Sequence, residues 1–369
     1  MRREQLPALT GIRFVAALVV VIHHFGQGVL PAGWAIARDL TDIGYVAVSL
    51  FFILSGFVLT HAYAASGRMR GTARAFYRGR AARLLPLYLL GCALALPTLA
   101  WSPPEPLHTP LAVSVAATIT GTPAWFPFSN SIDPPSWSLS AEAFFYALFP
   151  LLLAPLCRLR VPALLGVLTG CYALTLAGPL VYMHVRPDGP GYDWARYGWL
   201  RALSFGPPLR LPEFAAGMAL GRLHALWPAR RGGDLLVAVP CVALWTILPH
   251  AYLIPFPLLH NGVLDVLWCP LLLGLARPGL IAAALGCRPM VALGEASFGL
   301  YLLHWPIHAI LTGVVGTPPP GQRAPLFLAY LALSVAASLL AVRCVERPAR
   351  AWLLRRRAPA HSFQSSMVA

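Results

Sequence analysis

The sequence has 369 residues, of which 58% are hydrophobic and only 11% are charged, and its mean hydropathy is +0.66. These values exclude a soluble globular protein and are typical of a chain that crosses a membrane many times. The formal net charge of +15 does not indicate nucleic-acid binding, because the basic residues are spread between apolar runs and form no aromatic and basic surface.

A bilayer core requires about 20 apolar residues per helix, and ten runs of about that size occur along the chain. They predict an all-α polytopic membrane bundle of about ten transmembrane helices, at residues 8–29, 44–64, 84–101, 138–156, 161–183, 203–221, 234–253, 258–276, 291–313 and 324–345. The seven cysteines lie singly, without a C-x-x-C pair, and predict neither a disulfide framework nor a metal site.

The distribution of arginine predicts the orientation of the chain. Twenty arginines fall at the N-terminus, at the C-terminus or in connections on the same side as both; four fall on the other side, namely Arg38, Arg186, Arg196 and Arg323. Cytoplasmic loops carry the excess of basic residues, so the N-terminus and the C-terminus are both predicted to be cytoplasmic. We expect residues 1–350 to form one membrane domain and residues 351–369 to form a basic, disordered cytoplasmic tail.

The first run contains two ionisable residues, Arg13 and His24, which are eleven positions apart. At 100° per residue they lie within about 20° of each other on one helix face, separated by a rise of about 16 Å. His23 falls about 80° away. His24 suits a general base and Arg13 suits a phosphate or a carboxylate. The alternative is a helix-end arginine that reaches the interface and a histidine satisfied by packing.

Two connections between the runs have distinct compositions. The segment "FYRGRAARLLPLY" places Arg80 and Arg83 three positions apart at a helix start, where they could clamp a polyanion. The alternative is that the basic residues of this segment only fix the orientation of the chain. The connection over residues 102–136 is rich in proline and aromatic residues, which predicts a folded-back lid rather than a globular domain.

The fourth and sixth runs each contain a carboxylate. Glu142 lies about one turn inside the fourth run, where an isolated charge is strongly disfavoured. It is expected to orient a histidine, to bond an acceptor hydroxyl or to pair with an arginine. In the sixth run, Arg210 and Glu213 are three positions apart and are predicted to form a structural ion pair.

The ninth run, within "GEASFGLYLLHWPI", carries three polar residues on one face of an apolar helix. Ser297, Tyr301 and His304 follow one another at steps of four and three residues. Tyr301 and His304 are candidates for binding an acceptor or the carbonyl oxygen of a donor. The alternative is that this stripe holds neighbouring helices together.

Taken together, these segments resemble the acyltransferase-3 family of integral-membrane O-acyltransferases. The resemblance rests on seven motifs in family order, from about residue 5 to residue 350: "LTGIRFVAALVVVIHH", "SLFFILSGFVL", "RGRAARLLPLY", "SWSLSAEAFFY", "LRLPEFAAGM", "SFGLYLLHWPI" and "VERP". The first of these holds the Arg-x10-His signature of the family in Arg13 and His24.

The resemblance implies that residues 1–350 form an acyltransferase domain in the plasma or inner membrane. Such a domain takes an acyl group, most often acetyl, from cytoplasmic acyl-coenzyme A (acyl-CoA) and uses no metal. On this resemblance His24 is the base or acyl-transfer centre, Arg13 helps to hold the donor, and Arg80 and Arg83 match a basic pair on the coenzyme side. The candidate catalytic residues are completed by Glu142, Tyr301 and His304, which with Tyr146 match the positions that line the cavity in the family.

The acceptor is expected to be a hydroxyl of a glycan, a lipid-linked sugar or a glycosylated metabolite. The sequence leaves one competing function open, a multi-pass transporter or flippase in which the buried charges bind substrate or relay protons. A purely structural scaffold explains neither the shared face of Arg13 and His24 nor the polar stripe around His304.

Overall fold

The computed structural model describes residues 6–29, 35–65, 68–102, 109–126, 131–189, 191–192, 198–227, 232–316 and 318–355. This part of the chain is mainly helical, with one antiparallel pair of two-residue strands, Ala64–Ala65 and Arg68–Met69. The helices are α1 (Pro7–Phe25), α2 (Ala35–Ile43), α3 (Ala47–Tyr63), α4 (Ala73–Thr98), α5 (Leu111–Ile119), α6 (Trp137–Leu156), α7 (Val161–Val185), α8 (Gly198–Phe205), α9 (Pro207–Leu226), α10 (Gly233–Ile247), α11 (Phe256–His260), α12 (Asp265–Leu275), α13 (Leu280–Leu285), α14 (Arg288–Val315), α15 (Pro320–Ala341) and α16 (Arg347–Leu354).

Within the described residues, nine helical segments are long and apolar enough to cross a membrane, which confirms the predicted polytopic helical bundle. The predicted sixth run corresponds to α8 and α9, which are not among the nine. Helix α9 carries Arg210, Glu213 and Arg222, but it packs inside the bundle against α3, α6 and α7. Its charges are therefore accommodated by the neighbouring helices.

Two pairs of helices touch through their backbones. A Cβ atom added to Gly217 of α9 would overlap the carbonyl oxygen of Ile53 in α3, and one added to Gly294 of α14 would overlap that of Thr10 in α1. Small residues permit such close approach between helices in a membrane, where lipid is as apolar as the side chains. The second contact holds α1 against α14, and these are the helices that carry both candidate histidines.

Helix α4 begins earlier than predicted. Its first residue is Ala73, and the side chain of Thr72 caps it by accepting a hydrogen bond from the backbone N–H of Ala75 at 3.2 Å. Arg80 and Arg83 are therefore part of a continuous helix, with their spacing fixed by it. The apolar pattern alone predicted a start at residue 84 because the first turns of α4 are basic and lie outside the apolar run.

The described parts of the connection over residues 102–136 fold back onto α4. The hydroxyl of Tyr88 donates a hydrogen bond to the carbonyl of Thr118 in α5, and the Thr118 and Ser131 hydroxyl oxygens are 3.0 Å apart. Residues 103–108 and 127–130 of this predicted lid lie outside the described residues.

The chain continues past α15 through a π-helical turn, Val342–Glu346, into α16. Residues 351–354 are helical, so the predicted disorder is wrong for this part of the tail. The reason is a contact that the sequence does not reveal: the guanidinium of Arg78 donates hydrogen bonds to the carbonyls of Leu353, at 2.6 and 2.9 Å, and of Arg355, at 2.8 Å. Residues 356–369 lie outside the described residues.

Candidate active site

A cavity of about 130 Å³ lies between α1, α3, α4, α6 and α14, and we call it the arginine cavity. Its polar lining residues are Arg13, Ser55, Arg80, Arg83, Ser138, Glu142, Tyr146, Ser297 and Tyr301. Its volume is close to that of an engineered cavity of ~150 Å³ that holds a benzene molecule. The cavity therefore has room for a group of about that size.

Three arginines give the arginine cavity an excess of positive charge. Arg13 has no hydrogen-bond or ion-pair partner among the described residues, although the charges of Glu142 and Arg80 act on it electrostatically. The guanidinium carbon of Arg80 lies 5.9 Å from the ring centroids of Tyr63 and Tyr146, and its buried Nε has no hydrogen-bond partner. Guanidinium groups that are held by rings and keep free donors suit an anionic ligand.

Arg83 is fixed more firmly than Arg80. It forms an ion pair with Glu346, a carboxylate that the π-helical turn carries into the interior, where its side chain is only 3% exposed. A second nitrogen of Arg83 donates to the backbone carbonyl of Glu295 at 3.4 Å. These contacts hold the guanidinium at the cavity wall, because two separate helices constrain it.

Glu142 is bound by hydroxyl groups rather than by a histidine. It accepts a hydrogen bond from the hydroxyl of Ser55 at 2.9 Å and another from the hydroxyl of Tyr146, one turn further along α6. Both hydroxyl groups donate to the same carboxylate oxygen. Among the described residues Glu142 pairs with neither a histidine nor an arginine, although its charge acts on Arg13.

The two candidate histidines form a direct hydrogen bond, and we call them the histidine pair. Nδ1 of His24 lies 2.8 Å from Nε2 of His304, and the two rings are stacked with an interplanar angle of 8°. His24 is partly buried and His304 is fully buried. The more accessible member of the pair is therefore His24, the residue predicted to act as the base.

The hydrogen bonds of His304 fix the proton positions in the neutral pair. Its Nδ1 lies 2.8 Å from the carbonyl oxygen of Tyr301, which only accepts, so Nδ1 carries the hydrogen. Nε2 of His304 is then the acceptor, and Nδ1 of His24 donates to it. Nε2 of His24 keeps a free lone pair and has no partner among the described residues, which is the state that a general base requires.

Tyr301 connects the histidine pair to the arginine cavity. Its ring centroid lies 6.3 Å from that of His304, and its side chain lines the cavity. The hydroxyl of Ser138 donates to the Tyr301 oxygen at 2.7 Å. The same hydroxyl also lies 3.0 Å from the carbonyl oxygen of Pro135, so the phenolic O–H of Tyr301 can donate to an entering oxygen only when the Ser138 hydrogen points to Tyr301.

The ion pair predicted in the sixth run is part of a structural cluster. Arg210 and Glu213 form the predicted ion pair at 3.0 Å, with both side chains 1% exposed. Arg210 also donates to the carbonyl of His260 at 2.8 Å, to the side chain of Asn261 at 3.0 Å and to Ser49 at 3.0 Å. This cluster ties α9 to α3 and to the segment after α11.

No group of three or more His, Cys, Asp and Glu side chains could hold a metal ion within the part of the chain that the structure describes. The sequence profile of the acyltransferase domain family matches residues 6–343, which is nearly the whole chain. The chain belongs to the acyltransferase-3 family. This finding confirms the resemblance seen in the motifs.

Two relatives of this acyltransferase-3 protein match it over most of their own length. It is 32% identical to acyltransferase MdmB of Streptomyces mycarofaciens, over 96% of this chain and 94% of that protein. It is 30% identical to the exopolysaccharide production protein ExoZ of Rhizobium meliloti, over 85% of this chain and 90% of that protein. No solved structure matches the chain.

A third relative is longer than this chain. The peptidoglycan O-acetyltransferase OatA of Listeria monocytogenes is 26% identical over 94% of this chain, which spans only 56% of that protein. With the family assignment and the helical bundle, these relatives identify a membrane-bound, multi-pass O-acyltransferase. The transporter or flippase considered above is not supported.

In this acyltransferase-3 protein the predicted site residues fall into two groups. Arg13, Arg80, Arg83, Glu142 and Tyr301 line the arginine cavity, whereas His24 and His304 form the histidine pair beside it. The predicted arrangement of Arg13 and His24 at two depths of one cavity is thus replaced by a cavity and an adjoining pair.

Sequence reasoning missed three residues that complete this site. Ser55 binds Glu142, Ser138 binds Tyr301, and Glu346 binds Arg83. All three lie inside the motifs "FILSGF", "SWSLSAEAF" and "VERP" that carry the family resemblance. The motifs therefore held the signal, but only the packing of the helices supplies the partners.

Proposed function

We propose that this protein transfers a short acyl group, acetyl above all, from acyl-CoA to a hydroxyl of a carbohydrate or glycosylated acceptor, with His24 as general base. The observation that carries the proposal is the position of Tyr301, which lies between a cavity with excess positive charge and a histidine with a free ring nitrogen. The family assignment supports acyl transfer, and the names of two relatives, an exopolysaccharide production protein and a peptidoglycan O-acetyltransferase, support a carbohydrate acceptor.

The arginine cavity is suited to the donor. The phosphates of acyl-CoA would bind at the Arg80 and Arg83 end, where guanidinium groups make strong charge-assisted hydrogen bonds. The pantetheine arm would then run along α1 past Arg13 towards the histidine pair, about 16 Å further along the helix axis.

The transfer step uses the free nitrogen of His24. The acceptor hydroxyl gives its proton to Nε2 of His24, and its oxygen forms a bond to the thioester carbonyl carbon. Tyr301 donates a hydrogen bond to the carbonyl oxygen as negative charge develops there. The carbon–sulfur bond then breaks, and the coenzyme A thiolate takes the proton from His24, which yields the ester and free coenzyme A.

We place the protein in the plasma or inner membrane with both termini in the cytoplasm. The arginine distribution supports this orientation. It puts the arginine cavity on the side where acyl-CoA is made and the C-terminal end of α1, with His23 and His24, on the side of the acceptor. A glycan, a lipid-linked sugar and a glycosylated metabolite all fit an acceptor that approaches from that side.

The donor assignment is tested with two donors that differ only in the nucleotide. Protein purified in detergent is supplied with radiolabelled acetyl-CoA or with S-acetyl-pantetheine and a panel of methyl glycosides, and ester formation is measured. Replacing Arg80 and Arg83 with glutamine should raise the KM for acetyl-CoA more than about tenfold and leave that for S-acetyl-pantetheine unchanged, because only acetyl-CoA carries the nucleotide phosphates.

The matched control is Arg74→Gln, which removes one charge from the exposed start of the same helix α4. It should leave both KM values unchanged. An equal rise for both donors in the Arg80 and Arg83 variants would contradict the assignment of these residues to the phosphates. Absence of ester formation with every glycoside and either donor would contradict the proposed function itself.

A further inference from the structure

A second, larger cavity of about 470 Å³ lies between α2, the 3₁₀ turns at Gly44–Val46 and Leu248–Leu253, and α11. We call it the tyrosine cavity, and its chemically distinctive lining residues are Asp39, Asp42, Tyr45, Tyr192, Tyr252 and Phe256. None of the described residues lines both this cavity and the arginine cavity. Among the described residues, arginines predominate around the first cavity and two aspartates are the charged residues around the second.

The tyrosine cavity lies close to the histidine pair. The ring centroid of Tyr45 is 5.3 Å from that of His23, and the ring of His23 is 5.2 Å from that of His24. His23 is held there by a hydrogen bond of 2.6 Å between its Nδ1 and the carbonyl oxygen of Thr41 in α2. Only one side chain thus separates the cavity from His24.

Among the described residues, the carboxylates of the tyrosine cavity form no ion pair, although the charge of Asp42 acts on His23. Within this part of the chain, Asp42 accepts only a long hydrogen bond of 3.4 Å from the hydroxyl of Thr41. The chain as a whole carries a net charge of +15, so basic groups are abundant. Asp42 is exposed and Asp39 is half-buried, so both carboxylates are accessible to a ligand that brings its own positive charge.

The remaining walls are aromatic. Tyr45 packs at 5.4 Å from the ring of Phe256, and Tyr252 is 80% exposed. Aromatic faces bind the apolar face of a sugar ring and attract ammonium groups through their π electrons, while the tyrosine hydroxyls serve as hydrogen-bond partners. Carboxylates with aromatic faces therefore select a ligand that is both a sugar and a cation.

We propose that the tyrosine cavity binds the acceptor, and that this acceptor is a glycoside carrying an ammonium group, which Asp39 and Asp42 hold while a hydroxyl reaches His24. The identification of the ligand as an acceptor rests on the proposed function, but its binding does not require turnover. An amino sugar, free or as part of a larger glycoside, is the simplest member of this class.

The test measures binding without a donor. Saturation-transfer difference NMR on the purified protein compares methyl β-glucosaminide with methyl β-glucoside and with methyl N-acetyl-β-glucosaminide, which differ only at the group on carbon 2. The glucosaminide should bind at least about tenfold more tightly than either neutral sugar, as expected for one charge-assisted hydrogen bond. This preference should shrink as salt concentration rises, because the cavity is open to solvent.

Two variants locate the effect. Asp39→Asn and Asp42→Asn should each reduce the preference for the glucosaminide, and the double variant should abolish it; Glu295→Gln, at an exposed ion pair with Arg347, should retain it. Thermal unfolding shows whether each variant is folded, and the salt dependence of the unmodified protein tests the proposal independently of any variant.

Equal binding of the three glycosides, a preference that survives in the double variant, or no binding of any of them would overturn the proposal. The proposed function fails differently. If the glucosaminide binds with the expected preference but no glycoside is acetylated by acetyl-CoA, binding of an amino sugar in the tyrosine cavity is supported and the proposed transfer reaction is contradicted. If neutral sugars are acetylated as well as amino sugars, the transfer reaction is supported and the proposed preference of the tyrosine cavity for an ammonium group is contradicted.

Discussion

Replacing His304 with leucine removes the acceptor that holds the Nδ1–H of His24. Because His304 is fully buried, leucine fills an apolar site without exposing a charge. We expect kcat to fall and the KM for acetyl-CoA to stay unchanged, since His304 does not line the arginine cavity. A hydrogen bond to a charged partner contributes about 1.5–3 kcal/mol, which converts to a loss in kcat of roughly 10- to 150-fold.

The matched variant is His304→Gln, whose side-chain carbonyl can still accept a hydrogen bond from His24. It should lose less than about tenfold in kcat, because the same nitrogen of His24 remains protonated and the other remains free. The assay is transfer of radiolabelled acetyl from acetyl-CoA to a glycoside in detergent, with thermal unfolding midpoints as the folding control. Equal activity of the leucine and glutamine variants would refute the argument from the proton positions.

Three further changes test other parts of the structure. Tyr301→Phe should lower kcat by about 10²- to 10³-fold without changing the KM for donor, the effect of losing one oxyanion donor, and steady-state kinetics measures it. Gly294→Leu should destabilise the protein by about 1–3 kcal/mol, seen as a lower unfolding midpoint, since its Cβ would overlap the carbonyl of Thr10. Burial raises the pKa of Asp133 well above its ordinary value, so stability should fall as pH rises from the unfolded pKa towards the folded one. Asp133→Asn should remove that fall, with a gain over wild type that is larger at pH 8 than at pH 5.

Each of these predictions has an opposite outcome that would contradict it. Full kcat in Tyr301→Phe would leave the oxyanion without its proposed donor. An unchanged unfolding midpoint in Gly294→Leu would show that α1 and α14 do not touch as described. A constant difference between wild type and Asp133→Asn across pH would show that this carboxyl does not titrate on unfolding.

The sequence predicted the class of the fold because a membrane span leaves a long apolar run, and such runs are legible without any partner. It was less informative where charge interrupts the run. Helix α4 extends eleven residues before the predicted start because basic residues mask its first turns, and α9 carries charges that only its position inside the bundle explains. The sequence also could not predict the contact of Arg78 with the C-terminal helix, because that contact joins two distant segments.

The candidate site was predicted at the level of residues but not of partners. Helical phase grouped Tyr301 with His304 on α14 and separated His24 from His23, since each comparison lies within one helix. The bonds from His24 to His304, from Ser55 to Glu142 and from Ser138 to Tyr301 each join different helices. Such pairings depend on where two helices cross. Close glycine contacts, such as that of Gly294 with Thr10, set these crossing points, and no local sequence pattern predicts the resulting side-chain pairs.

The proposed mechanism depends most directly on His24 as the general base. The decisive measurement is the single-turnover rate of acetyl transfer from acetyl-CoA to a glycoside by His24→Ala, compared with wild type and with His23→Ala at saturating donor. Loss of a general base should slow His24→Ala by about 10²- to 10⁴-fold, with a smaller effect in His23→Ala. Transfer by His24→Ala at the wild-type rate would contradict the account.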